Sequence, residues 1–379
     1  MLDSKSEGRN PLPRLLAAYL LWTAAGVLGG SFSNLYFRLA GISLNELVIS
    51  YFFWAAAPIL VIHALDGRKL DMRAALVCGV LLQALAYSLQ AFLAPSAWVL
   101  YLTSFLIGMT SFLFWVPFNI MYFELGKGRE ALLGSVYFAV NPLLGIFLPI
   151  IGGAIAGAYG FGPLFALAAL TYLTIVPFAF LALGSRGLSF RIRDCIKGLK
   201  GFKTLLMLEG AYGGGVAAAM GVIVLFYFSK PAELGMYLSV TTLFSVLASF
   251  IVSRLSDRSR KRKRYVSLFG SGLGVTTAIM SLASTAFLWS AAVSVRNFFS
   301  SLFYPFTTAI LMDNKQESAE GAFVGREWLL NYGRILGVAM VLFCSLALRS
   351  IPLSLAFLGL LILAYPAVIG LKKRHIRVE

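Results

Sequence analysis

Along this chain, apolar runs of about 20 residues alternate with short stretches punctuated by Gly, Pro and charge. A helix of that length crosses roughly 30 Å, the thickness of a bilayer's hydrocarbon core. The pattern predicts twelve membrane-crossing helices, called spans 1 to 12: 14–38, 44–65, 72–94, 97–124, 130–158, 162–184, 204–229, 233–255, 265–285, 287–312, 322–347 and 351–371. An even number puts both termini on the same side.

The last six spans begin 189 to 193 residues after the first six. The expected fold is therefore all-α and integral to the membrane: twelve transmembrane helices in two pseudo-symmetric six-helix bundles. The bundles cover residues 1–184 and 204–379, joined by a basic linker at 185–203. Two repeats of six helices form a transporter layout. The linker, SRGLSFRIRDCIKGLKGFK, reads as a tether or as an amphipathic helix lying at the lipid headgroups.

Composition excludes a soluble domain. Only 13% of residues are charged and 59% are hydrophobic, against roughly 25% charged in soluble proteins. The net charge of +16 would suit nucleic acid, but its distribution points elsewhere. Of 32 Lys and Arg, 26 lie in the loops on the terminus side, and only Arg38, Lys230 and Arg349 lie opposite. That bias places both termini and the linker in the cytoplasm of a plasma-membrane protein, with lipid and no nucleic acid as partner. The polar start MLDSKSEGRNPLPR leads straight into a full-length apolar run, so the first helix is expected to be retained. Cys78 and Cys344 fall in apolar helices and are expected to be buried; Cys195 falls in the linker as an ordinary thiol. No metal-ligand spacing, cofactor motif or catalytic constellation is present, so an enzyme is not expected. A monomer is.

After span 8 comes SRLSDRSRKRKR, with Leu255, Asp257, Arg258, Lys261 and Arg262 at fixed spacing. A degraded copy, ALDGRKLD, follows span 2 and holds Asp66, Gly67, Arg68 and Lys69. Both resemble the loop signature of the major facilitator superfamily, Gly-x-Leu-x-Asp-Arg-x-Gly-Arg-Arg, although Ser253 and Arg260 replace its two glycines. The resemblance implies that each loop aspartate faces the N-terminus of a helix in the opposite half, steadying one conformation. Asp257 would face the start of span 5 near Arg129 and Glu130, and Asp66 the start of span 11. Pro149-x-x-Gly152-Gly153 in span 5 is similar to the tail of that family's antiporter signature.

The resemblance further implies that spans 1, 4, 7 and 10 line a central path. Helical periodicity gives each a polar face. Span 1 groups Thr23, Gly26, Gly30, Ser33 and Asn34; span 4 groups Tyr101, Ser104, Gly108, Ser111, Trp115, Asn119 and Tyr122. Span 10 groups Arg296, Asn297, Ser300 and Tyr304, and span 7 has Glu209 and Tyr212 before Gly213-Gly214-Gly215. The candidate cavity residues are Asn34, Trp115, Asn119, Tyr212, Arg296, Asn297, Ser300 and Tyr304. A lone Ser or Thr equally suits helix packing.

Three arginines lie inside spans: Arg296, Arg326 and Arg334. Each costs roughly 2.5–3.5 kcal/mol on insertion scales unless it is compensated. In span 11, FVGREWLLNYGRILG puts Glu327, Asn331 and Arg334 on one stripe, and Gly333 and Gly337 on an adjoining face that admits a close neighbour. Arg326 is expected in the latch between halves, with Arg334 buttressing the cavity near Arg296. Glu209 and Glu327 are the carboxylates suited to coupling, with a proton as the candidate ion. The function expected is a secondary active transporter moving a small organic solute, anionic or amphipathic, by alternating access. The alternative is a multidrug or lipophile efflux antiporter whose arginines are structural.

Overall fold

The computed structural model describes residues 11–125, 130–182, 186–256, 262–313 and 319–371. All twelve spans are helices. Span 1 is Leu12–Gly30 continued by Ser33–Leu39, and span 4 is Ala97–Leu113 continued by Trp115–Leu125. Pro117 has no N–H to give the carbonyl four residues back, so span 4 breaks at Phe114. Spans 2, 3, 5 and 6 are Leu44–Ala64, Met72–Phe92, Glu130–Tyr159 and Phe161–Ala182. Spans 7 to 12 are Lys203–Ile223 with a further turn to Phe226, Pro231–Ser256, Arg262–Met280, Ala286–Asp313, Ala319–Leu346 and Ile351–Leu371. Span 9 stops five residues short of expectation because Thr285 caps the next helix, its Oγ1 accepting from the Leu288 N–H at 3.2 Å.

Among the described residues, ten helices are long and apolar enough to cross a membrane. Spans 9 and 10 fall short in apolarity. Span 9 begins in Arg262-Lys263-Arg264, and span 10 carries Arg296, Asn297 and four serines. Both pack within the second bundle, against each other and against spans 12 and 8.

Helix pairing repeats between the bundles. Spans 3 and 6, 3 and 4, 2 and 4, 1 and 6, and 1 and 5 pack together; so do 9 and 12, 9 and 10, 8 and 10, 7 and 12, and 7 and 11. Across the bundles, span 5 packs on span 8 and span 2 on span 11. These two seams are also related by the repeat. Small residues set the first of them: a Cβ on Gly153 would meet the Pro231 carbonyl, and one on Gly235 the Pro149 carbonyl. The glycines of the antiporter-like tail thus serve close helix approach. Large apolar side chains such as Phe92, Phe147, Leu170, Phe180 and Leu360 are exposed on the outside, where lipid is their natural solvent.

The linker is neither a free tether nor a headgroup helix. Strand β2 (Gly187–Ser189) pairs antiparallel with β1 (Lys69–Asp71) of the loop after span 2. A short helix, Ile192–Gly198, follows and packs on span 11, where the Cys195 carbonyl and Leu199 lie against Gly325. Leu188, Cys195 and Leu199 are buried there. The cysteine expectations invert in part: Cys195 is buried and Cys78 exposed, while Cys344 is buried as expected, and all three are free thiols.

Asp66 requires a correction too. Its Oδ1 accepts from the backbone N–H of Ile192 at 2.9 Å. It therefore caps the linker helix instead of meeting the start of span 11. A carboxylate satisfies whichever helix N-terminus is within reach, and the linker supplies the nearer one. Arg68 is exposed in the same turn. Asp257, Arg258 and Lys261 lie outside the described residues, as does the side chain of Arg262, and so does Arg129, expected opposite Asp257.

Candidate functional site

Among the described residues, two adjoining cavities lie between the bundles, apart from one of about 480 Å³ at the opposite face lined by Ser43, Asn45, Ser345 and Arg349. The first, of about 280 Å³, is charged. Its wall takes Trp54 from span 2, Asn119 and Phe123 from span 4, Tyr137 from span 5 and Glu209 from span 7. Span 10 adds Tyr304 and Thr308, and span 11 adds Phe323, Arg326 and Arg334. The second, of about 720 Å³, has no charged residue in its wall. It is lined by Tyr19, Trp22, Thr23, Gly26 and Gly30 of span 1, Trp115, Tyr137, Asn141, Ser300, Ser301 and Tyr304, among others. Tyr137 and Tyr304 belong to both walls, so the cavities adjoin.

Helix approach builds the charged cavity. Spans 7 and 11 touch backbone to backbone: a Cβ on Gly210 would meet the Leu330 carbonyl, on Gly333 that of Met207, and on Gly337 that of Ala211. The glycine run of span 7 is therefore chiefly a packing surface, with Gly213 left to line the cavity. This contact lets side chains flanking the seam pair. Arg326 Nη2 donates to Glu209 Oε1 at 2.9 Å. Arg334 Nη1 donates to Glu327 Oε1 at 2.8 Å and to Asn331 Oδ1 at 2.7 Å, while Asn331 Nδ2 donates to Glu327 Oε1 at 2.9 Å. The stripe read from sequence thus closes into a three-member network.

Arg326 departs from expectation. It pairs inside the second bundle, at the cavity wall, and not in a latch between halves. Arg334 also does more than buttress: it lines the cavity, and its guanidinium lies 4.9 Å from the Trp54 ring centre across the seam. A linker residue occupies the latch position instead. Arg186 pairs with Glu124 at the end of span 4 and, at 2.7 Å, with Glu320 at the start of span 11. The bond to Glu124 holds the Arg186 guanidinium above its ordinary pKa. Beside it, the Phe123 and Phe323 rings stack 6.0 Å apart across the halves.

Arg296 is the cation without a carboxylate. Its Nε donates to the Tyr212 hydroxyl at 3.3 Å and its Nη1 to Asn297 Oδ1 at 3.2 Å. No acidic residue pairs with it among the described residues. Tyr212 is tied to Thr277, and Asn297 to the Thr241 carbonyl, so its partners are anchored but neutral.

Of the eight candidate cavity residues, Trp115, Asn119, Ser300 and Tyr304 line the two cavities. Arg296, Asn297 and Tyr212 form a cluster between spans 7, 8 and 10. Asn34 lies toward the opposite face, where its Nδ2 donates to the Gly221 carbonyl at 3.0 Å and joins the halves; Ser345 and Asn45 do likewise at 2.5 Å. Glu46 closes a capping box with Ser43. Trp54, Tyr137 and Thr308 were not anticipated. Tyr137 and Asn141 make a polar i, i+4 pair in the largely apolar span 5, and Thr308 extends the span 10 stripe past Pro305. Both signals were available.

No family model matches the chain, and no curated protein matches it by sequence. Solved structures do. A fucose:proton symporter of Escherichia coli aligns with TM-score 0.66 at 15% identity, over 96% of this chain and all of that one. A POT family transporter in complex with a thioalcohol-conjugated peptide aligns with TM-score 0.69 at 13% identity, over 94% and 96%. The human organic anion transporter MFSD10 aligns with TM-score 0.65 at 12% identity, over 95% and 100%. With helices, repeated pairing and full-length alignment in agreement, the chain has the twelve-helix fold of the major facilitator superfamily.

Proposed function

We propose that the protein is a secondary transporter that carries a small organic anion across the bilayer by alternating access. One observation carries the choice of anion: around the cavities three deep arginines face two deep glutamates, and Arg296 is the surplus charge. Arg296 lines neither cavity, but a buried cation with only neutral partners has a field that favours an anion in the space beside it. The likeness to a protein named as an organic anion transporter supports the same reading. The lysine and arginine bias puts the linker face in the cytoplasm, and the protein acts as a monomer in the plasma membrane.

Arg296 and the cavity residue Tyr304 are eight residues apart, roughly 12 Å of helix. At an effective dielectric near 20, a unit charge at that range contributes about 1.4 kcal/mol, or tenfold in affinity. Arg296→Ala is therefore expected to lower anion uptake into proteoliposomes about tenfold at subsaturating concentration. Full uptake by this variant would overturn the reading.

Glu209 is the coupling carboxylate in this scheme. It lines the charged cavity and pairs with Arg326, so a solute anion competes with it for that cation. Expected of Glu209→Gln is uptake that no longer accelerates under an imposed pH gradient; retained acceleration would remove Glu209 from the coupling step. A second reading, efflux of cationic lipophiles past structural arginines, is favoured by the carboxylate partners of Arg326 and Arg334. Resistance to cationic dyes on expression, without anion flux, would select it.

A further inference from the structure

We propose that the solute is amphipathic: a carboxylate bearing an aryl tail, held across the two adjoining cavities. The carboxylate sits against Arg326 and Arg334, and the tail passes between Tyr137 and Tyr304 into the compartment walled by Trp22 and Trp115. This rests on the anion-transport reading above and narrows it to a substrate class.

The two compartments differ in chemistry while sharing a wall. The smaller one holds every charged residue that lines either cavity: Glu209, Arg326 and Arg334. Each arginine gives one guanidinium nitrogen to its glutamate, Arg326 through Nη2 and Arg334 through Nη1. Each guanidinium has further N–H donors, enough for a carboxylate. The larger compartment has the opposite character. The Trp115 ring meets Tyr19 and Trp22 edge-on, with centres 6.0 Å apart in each case, and Tyr137 at 6.4 Å. These mutual contacts fix one aromatic wall. Opposite it, Ser300 and Ser301 are small and leave the space open.

A short hydrophilic anion would use the arginines and leave about 720 Å³ of aromatic-walled space unfilled. A neutral lipophile would do the reverse and leave the donors that the two arginines do not spend on Glu209, Glu327 and Asn331 without a solute partner. A cationic lipophile would meet two arginines beside one glutamate. An anion with an apolar tail is the chemistry that satisfies both compartments at once. Tyr137 and Tyr304 line both compartments and so stand where head and tail join.

The test is a thermal-shift titration of the purified full-length protein with acetate, phenylacetate, 3-phenylpropionate and 4-phenylbutyrate, since binding to the folded state raises apparent stability by RT ln(1 + [L]/Kd), so the concentration dependence gives each affinity. Affinity is expected to rise about three- to fourfold per methylene across the phenyl series. Acetate is expected at least tenfold weaker than phenylacetate. The decisive quantity is the ratio of 4-phenylbutyrate to acetate affinity. Trp115→Ala, which removes the residue on which the other aromatic rings of the wall pack, and Ser300→Leu, which pushes a branched side chain into the space, should each cut that ratio several-fold. Arg334→Gln should weaken all four probes together and preserve it. Acetate binding as tightly as 4-phenylbutyrate, or a ratio unmoved in Ser300→Leu, would overturn the two-compartment inference and leave anion transport standing. Binding of 4-phenylbutylamine with no binding of any carboxylate would overturn the anion reading itself.

Discussion

Gly337→Ala should fail to yield a monodisperse, cooperatively melting protein, although it adds a single methyl group. The added Cβ would fall on the Ala211 carbonyl oxygen and close to the Gly215 N–H. Both are backbone atoms of span 7 and have no rotamer to give. Spans 7 and 11 would have to separate, and the Gly210–Leu330 and Gly333–Met207 approaches lie along the same seam. In lipid no hydrophobic drive holds helices together, so close packing supplies most of the association. Overpacking costs roughly 1–3 kcal/mol where side chains can adjust, and more is expected here because only backbone is available to move. The Glu209–Arg326 pair spans this helix pair and would lengthen with it. The control is Gly157→Ala in span 5, where nothing lies within 4 Å of the new methyl. There alanine should be neutral or stabilise the helix by up to about 1 kcal/mol. Size-exclusion profiles and melting curves of the two variants decide the matter; a well-behaved Gly337→Ala protein would contradict the seam as described.

The contrast between these two glycines marks what could be read from the chain alone. Twenty-residue apolar runs, their repeat near 190 residues and the one-sided basic loops follow from bilayer thickness and insertion, which act locally on sequence. They gave the spans and the fold. The stripe Glu327, Asn331, Arg334 was legible for the same reason, since one helix's periodicity is local. Partners on other helices were not. Arg326 reaches Glu209, 117 residues away, only because glycines let spans 7 and 11 touch. Asp66 binds a linker helix that the basic composition of 185–203 disguised as a tether. Trp54 enters the cavity because span 2 packs on span 11, a fact of tertiary arrangement with no mark in its own neighbourhood. Gly157 and Gly337 look alike in sequence and differ only in what lies opposite.

The second large effect is expected at Glu327 and Arg334. Glu327 is 9% exposed, so removing its partner leaves a nearly buried carboxylate uncompensated, which costs about 3–5 kcal/mol. Glu327→Arg sets two guanidiniums seven residues apart on one helix face, and Arg334→Glu sets two carboxylates there; each should lower the melting temperature or prevent recovery of folded protein. With both changes made, opposite charges again flank Asn331, whose amide offers a donor to one and an acceptor to the other. The double variant should therefore be more stable than either single one, with a coupling free energy above about 1 kcal/mol in the cycle. Transport should recover less than stability. Position 334 lines the charged cavity and stacks on Trp54, whereas position 327 does not line it, so the swap restores the ion pair while withdrawing a cation from the solute. Equal recovery of both would make the pair purely structural. Additive losses with no coupling would mean that the two side chains do not compensate each other in the folded protein. Stability restored without flux is the result that assigns Arg334 two tasks at once: it neutralises Glu327 through Nη1 and keeps its remaining donors for the anion.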